Sequence, residues 1–247
     1  MGCHIIDPVF KALDRGFPTA FEGSSTQVNT ESAPMAERVT YYFPARAKKH
    51  NVEMPAVTFT WYDGGLLPDR PAGIPDGRIL GDQDGGAMFV GTKGVIICGT
   101  YGRNPYVLGR ENDPPKAPQR LRRVETSHEM DWVRACKEDA RRRTEPSSNF
   151  AYAGPLNEVV VMGNLAIRLQ DLKRKLEWDA KEMKIKTSAI PTKSASSPLT
   201  SLPSLMGIRI LIRNMRLSML KPRPSLISNA LTAMVGPIKS YHQNKAL

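Results

Sequence analysis

Two histidine-containing stretches hold residue types that could carry out chemistry. SHEMDW, at 127–132, begins like the zinc-binding helix pattern H-E-x-x-H. Trp132 stands where that pattern needs its second histidine, so no metal site is predicted, and we interpret His128 as a polar residue at the start of a helix. The other stretch is MGCHIIDPVF, at 1–10, which places His4 within a run of small and apolar residues.

Two glycine-rich stretches lack the residue order of the ligand-binding loops they could be confused with. GAMFVGTKG, at 86–94, lacks the G-K-[ST] of a phosphate-binding loop because Lys93 precedes Gly94, so a hairpin is predicted. GDQDGG, at 81–86, offers two carboxylates without the other ligands of a calcium loop, and we predict a turn. Neither G-x-S-x-G nor G-x-G-x-x-G occurs, so no cofactor-binding residue is predicted in this chain.

The cysteines give no sign of a metal or disulfide framework. Cys3, Cys98 and Cys136 are odd in number and widely spread, and no C-x-x-C pair occurs. A reducing compartment is therefore expected. The sequence shows no signal-peptide pattern and no apolar run as long as a membrane span. These observations predict a cytoplasmic protein without a membrane-spanning helix.

The positive charge is concentrated in the last quarter of the chain. The formal net charge is +11, yet residues 187–247 hold eight Lys or Arg and no Asp or Glu. Residues 1–186 hold the other 27 basic residues and all 24 acidic ones, a balance of +3. We therefore place a junction near residue 186, and we expect no nucleic-acid binding from the first part.

The tail at 187–247 allows two interpretations. Its segment 207–221, GIRILIRNMRLSMLK, places arginines on one helical face, which is typical of a basic helix that binds a membrane surface or a partner. These arginines are Arg209, Arg213 and Arg216. The other interpretation is an irregular tail never selected to fold, because acids, Phe and Trp are all missing from it.

A helix is predicted from His4 to Arg15. Its apolar residues recur at helical spacing and form one stripe, and His4 lies nearly opposite that stripe. Pro8 removes one helical hydrogen bond, so the helix either begins near Asp7 and Pro8 or is kinked beside His4. The stripe consists of Ile6, Val9, Phe10 and Leu13.

Strand signals fill most of the next hundred residues. The alternation of Val57, Phe59 and Trp61 with polar residues predicts a strand with one covered face. Trp61, Tyr62 and Asp63 could contribute to a sugar site, or they could simply end that strand and begin a turn. The predicted strand segments are 18–26, 37–45, 56–65, a hairpin at 87–102 and a closing hairpin at 175–186.

Two further helices are predicted before the closing hairpin. Ser127 is the expected N-cap of the first, and Pro155 is the expected first residue of the second. The second helix should bury Leu156, Val159, Val160, Gly163 and Ile167. Together the segments predict an α+β fold, in which helices cover one face of an open, mostly antiparallel sheet and an irregular C-terminal tail follows.

Several long blocks of residues 1–186 resemble one family in order and spacing. This is the C-terminal domain of bacterial-type oxidoreductases of the glucose–fructose oxidoreductase, inositol dehydrogenase and rhizopine-catabolism family, abbreviated Gfo/Idh/MocA. The blocks are MGCHIIDPVFKAL, TQVNTESAP, TWYDGG, GTKGVIICGTYGRNP, SHEMDWVRACK, PSSNFAYAGPLNEVVVMGNLAIR and KLEWDAKEMKI.

The resemblance implies a fold, a reaction and a cofactor. Such enzymes bind NAD or NADP in an N-terminal Rossmann domain, and their C-terminal α+β domain helps form the substrate site and builds oligomers. Hydride passes between a sugar or polyol carbon and the nicotinamide. A histidine of a D-x-x-x-H motif, or a lysine of an E-K-P motif in the first domain, handles the hydroxyl proton.

His4 is the residue that matches the family's histidine, so the resemblance implies that His4 is catalytic. The motif's aspartate would stand one position before Met1, and the E-K-P lysine and the glycine fingerprint are missing too. We therefore expect a truncated substrate-binding and oligomerisation domain at 1–186, inactive alone, whose substrate-binding residues the sequence does not identify.

The expected partners follow from the same resemblance. They are further copies of the chain, associated through the sheet, and a separately encoded Rossmann domain. The alternative is a non-enzymatic interaction protein whose basic tail, 187–247, binds an anionic membrane or nucleic acid.

Overall fold

The computed structural model describes most of the chain up to residue 186. It describes residues 1–186 apart from 15, 30, 50–51, 114–117 and 120–121, together with residues 208–214. Residues 187–207 and 215–247 of the predicted tail lie outside the described residues, so the division at residue 186 stays a prediction.

Helices and strands alternate in blocks rather than in regular βα units. The helices are α1 (Gly2–Ala12), α2 (His128–Lys137) and α3 (Phe150–Arg168). The strands are β1 (Ala20–Ser25), β2 (Glu37–Phe43), β3 (Arg46–Lys49), β4 (Val52–Met54), β5 (Val57–Asp63), β6 (Gly85–Gly91), β7 (Gly94–Gly99), β8 (Tyr106–Val107), β9 (Leu176–Asp179), β10 (Lys184–Ile185) and β11 (Ile208–Asn214).

The strands form one open sheet and a separate two-stranded ribbon. The sheet order is β10-β9-β1-β2-β5-β11-β6-β7-β8, and β3 pairs with β4. The described pairs are antiparallel except for β11 with β5, which is parallel. The α+β class with a mostly antiparallel open sheet is therefore confirmed.

Helix α1 begins earlier than one of the two predicted starts. It starts at Gly2, so Pro8 lies inside the helix and the start near Asp7 is wrong. The whole predicted stripe is buried, together with Ile5, Pro8 and Ala12, although its last residue, Leu13, follows the end of the helix. Hydrophobic burial of this face holds the helix although Pro8 lacks the N–H that would bond the carbonyl of His4.

Helix α3 also begins before its predicted first residue. Asn149 is the N-cap, and its side chain accepts a hydrogen bond from the backbone N–H of Tyr152 at 3.1 Å. Pro155 is consequently an interior residue, because the Asn149 cap sets the helix start at Phe150, five residues before Pro155. In α2, by contrast, the predicted cap is confirmed, since the Ser127 side chain accepts from Met130 N.

Residues 208–214 are not helical, which corrects the helix predicted at 207–221. They form β11, inserted between β5 and β6, with Ile210 paired to Phe59 on one side and Phe89 on the other. The described part of the predicted tail is thus strand rather than irregular. Arg209 and Arg213 sit in a period-two strand, so no helical arginine face forms over these residues.

Helices α1 and α3 contact each other and cover one face of the sheet. Helix α3 lies over β1 and β2, and α1 lies over β6 and β11. Beneath them Tyr41 stacks on Phe59 with ring centroids 5.1 Å apart. The buried cluster on this face includes Ile5, Val9, Phe10 and Leu13 from α1, Phe21, Val39, Tyr41, Phe59, Trp61, Phe89 and Ile96 from the sheet, and Leu156, Val159, Met162 and Ile167 from α3.

Candidate functional site

The site begins at the first turn of α1, where His4 stands away from the buried stripe. Its backbone N–H donates to the Met1 carbonyl at 2.9 Å, and its side chain is exposed. The predicted orientation of His4 away from the core is therefore confirmed. Since His4 belongs to α1, its ring is presented by a helix rather than by a loop.

The imidazole of His4 packs against the ring of Tyr101. The two ring centroids are 5.0 Å apart, and the planes are tilted by 58°. Tyr101 lies in the short 3-10 turn Thr100–Gly102, directly after β7, and α1 packs on this turn. The contact thus joins residues almost a hundred positions apart in the sequence.

The surroundings favour the neutral imidazole. Partial burial lowers the pKa of His4 most, and the positive charges of the chain's amino terminus and of His128 lower that pKa further. A histidine with a pKa below its usual range is unprotonated at neutral pH. His4 can therefore accept a proton there, which is the task of a general base.

Both polar groups of the pair are available to a ligand. Within the part of the chain that the structure describes, neither the ring nitrogens of His4 nor the phenol of Tyr101 makes a hydrogen bond. A small hydroxylated molecule beside the two rings would find one acceptor nitrogen and one hydroxyl. We define this pair as the His4–Tyr101 site.

The carboxylate closest to His4 in the sequence, that of Asp7, is bound by a residue of α3. Asp7 accepts a hydrogen bond from the hydroxyl of Tyr152 in α3, and Lys11 lies with its Nζ 4.5 Å from the centre of the same ring. Burial raises the pKa of Asp7, opposed by that hydrogen bond and by Lys11. Asp7 thus ties α1 to α3 and is not a hydrogen-bond partner of His4.

The GDQDGG stretch forms a turn, as predicted, but its first carboxylate has a structural role that the sequence did not reveal. Asp82 accepts from the backbone N–H and from the hydroxyl of Thr100, each at 3.0 Å. It also pairs with Arg103 at 3.2 Å, and Arg103 lies over the ring of Tyr101 at 5.4 Å. The turn at 81–86 therefore supports the backbone on either side of Tyr101.

The other residues considered as site candidates from the sequence have structural roles. His128 opens α2 as expected and pairs with the neighbouring Glu129 at 3.0 Å. The GTKG stretch is the predicted hairpin turn between β6 and β7. Trp61 is buried in β5, and the Asp63 carboxylate accepts from the backbone N–H of Gly64 at 2.6 Å, which favours the interpretation as a strand end.

Asp131, which the sequence did not single out, is the best-connected carboxylate among the described residues. Its side chain is 2% exposed and accepts from Arg122 at 2.9 and 3.0 Å, from Arg134 at 3.1 Å and from the backbone N–H of Ser147 at 2.8 Å. These hydrogen bonds hold the pKa of Asp131 well below its usual range. With every contact directed to the protein, it organises the α2 region rather than a ligand site.

A second concave region lies on the opposite face of the sheet. The loop at 64–84 covers Met88 and Ile97 there and encloses a pocket of about 220 Å³. Arg78 at its rim pairs with Glu111 at 3.1 Å and lies over Tyr106, while Arg70 donates to backbone carbonyls of the loop. Both guanidinium groups are engaged by the protein, so the pocket offers an apolar floor without a free charge.

The described residues do not fit a nicotinamide dinucleotide. Dinucleotide sites use a glycine-rich turn between a parallel strand and a helix, whose N-terminus faces the pyrophosphate. In the described part of the chain α1 precedes the first strand, and α2 and α3 stand between antiparallel strands. The cofactor of the resembled family would need groups outside these residues.

Comparisons with known proteins do not identify a family for this chain, so its class is described from the fold and the site. The sequence matches no protein-family model and no curated protein. The fold defines an α+β protein with an open, mostly antiparallel sheet covered by helices. Among the described residues no helix is long and apolar enough to cross a membrane.

Proposed function

We propose that this chain is the substrate-side and oligomerisation domain of an NAD- or NADP-dependent oxidoreductase of the Gfo/Idh/MocA type, acting on a sugar or polyol hydroxyl in the cytoplasm. The observation that carries the proposal is the His4–Tyr101 site. An exposed imidazole with a lowered pKa and no hydrogen-bond partner among the described residues stands on the first turn of a helix. It is the residue that matches the family's catalytic histidine.

The chemistry assigned to this chain is proton transfer alone. His4, neutral at physiological pH, accepts the proton of a substrate hydroxyl at a ring nitrogen and becomes imidazolium. Once the substrate carbon has lost its hydride, the imidazolium releases that proton to solvent water. The oxidation also needs a hydride acceptor. The described residues do not fit a nicotinamide dinucleotide, so we expect them to bind a polyol without oxidising it.

Two partners complete the proposal. A Rossmann domain outside the described residues supplies the cofactor, and further copies of the chain associate through the sheet. The His4–Tyr101 site lies at the first turn of α1 and is open to solvent, which leaves room for a second domain to approach the imidazole.

The test follows the imidazole signals of the full chain by NMR during titration with myo-inositol, glucose and xylitol. We expect at least one of them to shift the signals of His4 while those of His128, which is paired with Glu129, stay unchanged. The variant His4→Gln assigns the signals and should abolish the shift. Absence of any polyol effect on His4 would contradict the proposal.

A calorimetric titration with NADH and NADPH tests the second half of the proposal. We expect no heat of binding at micromolar cofactor, because the nucleotide-binding groups lie outside the described residues. Micromolar binding by this chain alone would show that it carries its own cofactor site and would overturn the assignment as a substrate-side domain.

The interaction-protein alternative rests on the basic tail 187–247, of which the structure describes residues 208–214. Those seven residues form a strand inside the sheet, so they do not present the arginines on a helical face. We propose the oxidoreductase domain because the His4–Tyr101 site lies within the described residues.

A further inference from the structure

The turn that carries Tyr101 has an unusual backbone. Tyr101 has φ 60° and ψ 18°, and the next residue, Gly102, has φ 68°. The left-handed region suits glycine and is unfavourable for an aromatic residue, so such a conformation persists only where its surroundings enforce it. The strained residue is the one whose ring touches His4.

A hydrogen-bonded frame enforces this conformation from both ends of the turn. On one side Asp82 accepts from the N–H and hydroxyl of Thr100, which is 1% exposed. On the other side Arg103 donates from Nε to the carbonyl of Thr100 at 2.9 Å, and its own carbonyl accepts from Gly99 N at 2.7 Å. The ion pair between Asp82 and Arg103 closes the frame.

Gly99 allows the carboxylate of Asp82 to reach the turn. A Cβ at position 99 would collide with the carboxyl group of Asp82. The close approach is what lets Asp82 accept two hydrogen bonds from one residue, Thr100. The left-handed backbone of Tyr101, the hydrogen bonds from Asp82 and Arg103, and the missing side chain at Gly99 thus together fix the position of the Tyr101 ring. The hydroxyl of Tyr101 makes no hydrogen bond in the described part of the chain.

We propose that Tyr101 is a positioning residue for His4, and that Asp82 holds Tyr101 in place through Thr100 and Arg103. This inference rests on the proposed function only in taking His4 as the functional group. The ring of Tyr101 limits the rotation of the imidazole about its side-chain bonds and excludes water from one of its faces. The ring nitrogens are left for the ligand, and the phenol stands beside them.

The first test separates the ring of Tyr101 from its hydroxyl. Tyr101→Asn keeps the left-handed turn, because Asn tolerates positive φ, but it removes the aromatic contact. Burial of His4 then decreases, and its pKa, measured by NMR titration of the full chain, should rise toward the ordinary value. Tyr101→Phe keeps the ring and should leave the pKa of His4 unchanged.

The second test addresses Asp82 with a charge-matched control. Asp82→Asn weakens the hydrogen bonds to Thr100, and the cross-ring NOE between His4 and Tyr101 should be lost. Asp84→Asn likewise removes one negative charge from this loop and one carboxylate from the side chain of Arg103. Asp84, however, lies 3.5 Å from Arg103, and its side chain bonds no part of the turn. The NOE should survive in that variant.

Each variant has a result that supports the positioning role of Tyr101 and a result that contradicts it. An unchanged His4 pKa in Tyr101→Asn, or a retained NOE in Asp82→Asn, would overturn the positioning role. Should Asp82→Asn fail to fold, as judged by circular dichroism, the Tyr101 pair still decides the matter. None of these readouts needs a substrate, so a negative polyol titration would count against the proposed function without touching this result.

Discussion

At the residue scale, two titratable groups of α1, His4 and Asp7, differ in whether the protein itself binds them. His4 is exposed beside Tyr101, and partial burial of its ring together with nearby positive charges lowers its pKa, which favours the neutral form. Asp7, one helical turn later, is packed between α1 and α3 and bonded by Tyr152. Only the tertiary contacts show that His4 can act as a general base, whereas Asp7 links α1 to α3.

Replacing Asp7 by Asn should make stability less dependent on pH. The pKa of Asp7 is raised by burial, so the folded state holds a proton that the unfolded state releases above about pH 4. Stability from this group is therefore present at low pH and is lost as pH rises through the folded pKa. Asn keeps an oxygen for Tyr152 and carries no charge, so D7N should be at least as stable as the native chain at pH 7.

Urea unfolding at pH 4 and pH 7 checks this expectation. The advantage of D7N should shrink at the lower pH, where the native carboxyl is protonated. Asp69→Asn, on the exposed loop, serves as the control and should alter stability at neither pH. Lower stability of D7N at pH 7 would show that the charged form of Asp7 stabilises the fold.

At the element scale, the crossing of α3 over the sheet depends on one glycine. A Cβ at Gly163 would lie 2.8 Å from the hydroxyl oxygen of Tyr41, whose ring is fully buried and stacked on Phe59. A rigid, enclosed ring has little room to move away. The predicted burial of Gly163 is confirmed, and the reason is this contact between α3 and β2.

We expect Gly163→Ala to destabilise the chain by about 1–3 kcal/mol through overpacking, although alanine is the better helix former. In a Tyr41→Phe background the obstructing oxygen is gone, and the same change should cost less or even stabilise by up to about 1 kcal/mol. Chemical denaturation of the four members of this double-mutant cycle measures the coupling.

Gly154→Ala is the matched control within the same helix. A Cβ there meets no atom within 4 Å, so this change should stabilise by up to about 1 kcal/mol. Equal effects of the two glycine substitutions would contradict the close contact between Gly163 and Tyr41.

At the scale of the whole molecule, β11 joins two parts of the sheet. It pairs with β5 on one side and β6 on the other, so it lies between the β10-β9-β1-β2-β5 half and the β6-β7-β8 half. Without β11 the backbones of β5 and β6 would lose these ladder partners and present new edges. Exposed edges invite association with other chains.

A chain ending at residue 206 should consequently be less stable and more prone to associate than one ending at residue 220, which keeps β11. Hydrogen exchange should show faster exchange in β5 and β6 of the shorter chain, and light scattering should show larger species. Equal exchange and equal size in the two chains would mean that β11 contributes nothing to the sheet.

The sequence by itself determined the local elements of this protein. Apolar residues at helical spacing buried one face of α1, alternation placed Val57, Phe59 and Trp61 in β5, and the glycines at 91 and 94 set the β6–β7 hairpin. Ser127 capped α2 as its type predicts. These features depend on residues within one turn or one hairpin of each other, so a linear pattern contains them.

Only the tertiary structure decided which distant residues meet. The contact of His4 with Tyr101, the frame from Asp82 and the capture of Asp7 by Tyr152 join segments far apart in the chain. From the sequence, the segment at 208–214 is expected only as part of a helix or of an irregular tail, and pairing with β5 and β6 makes it a strand. Backbone hydrogen bonds to neighbouring strands override local preference, and no local pattern records them.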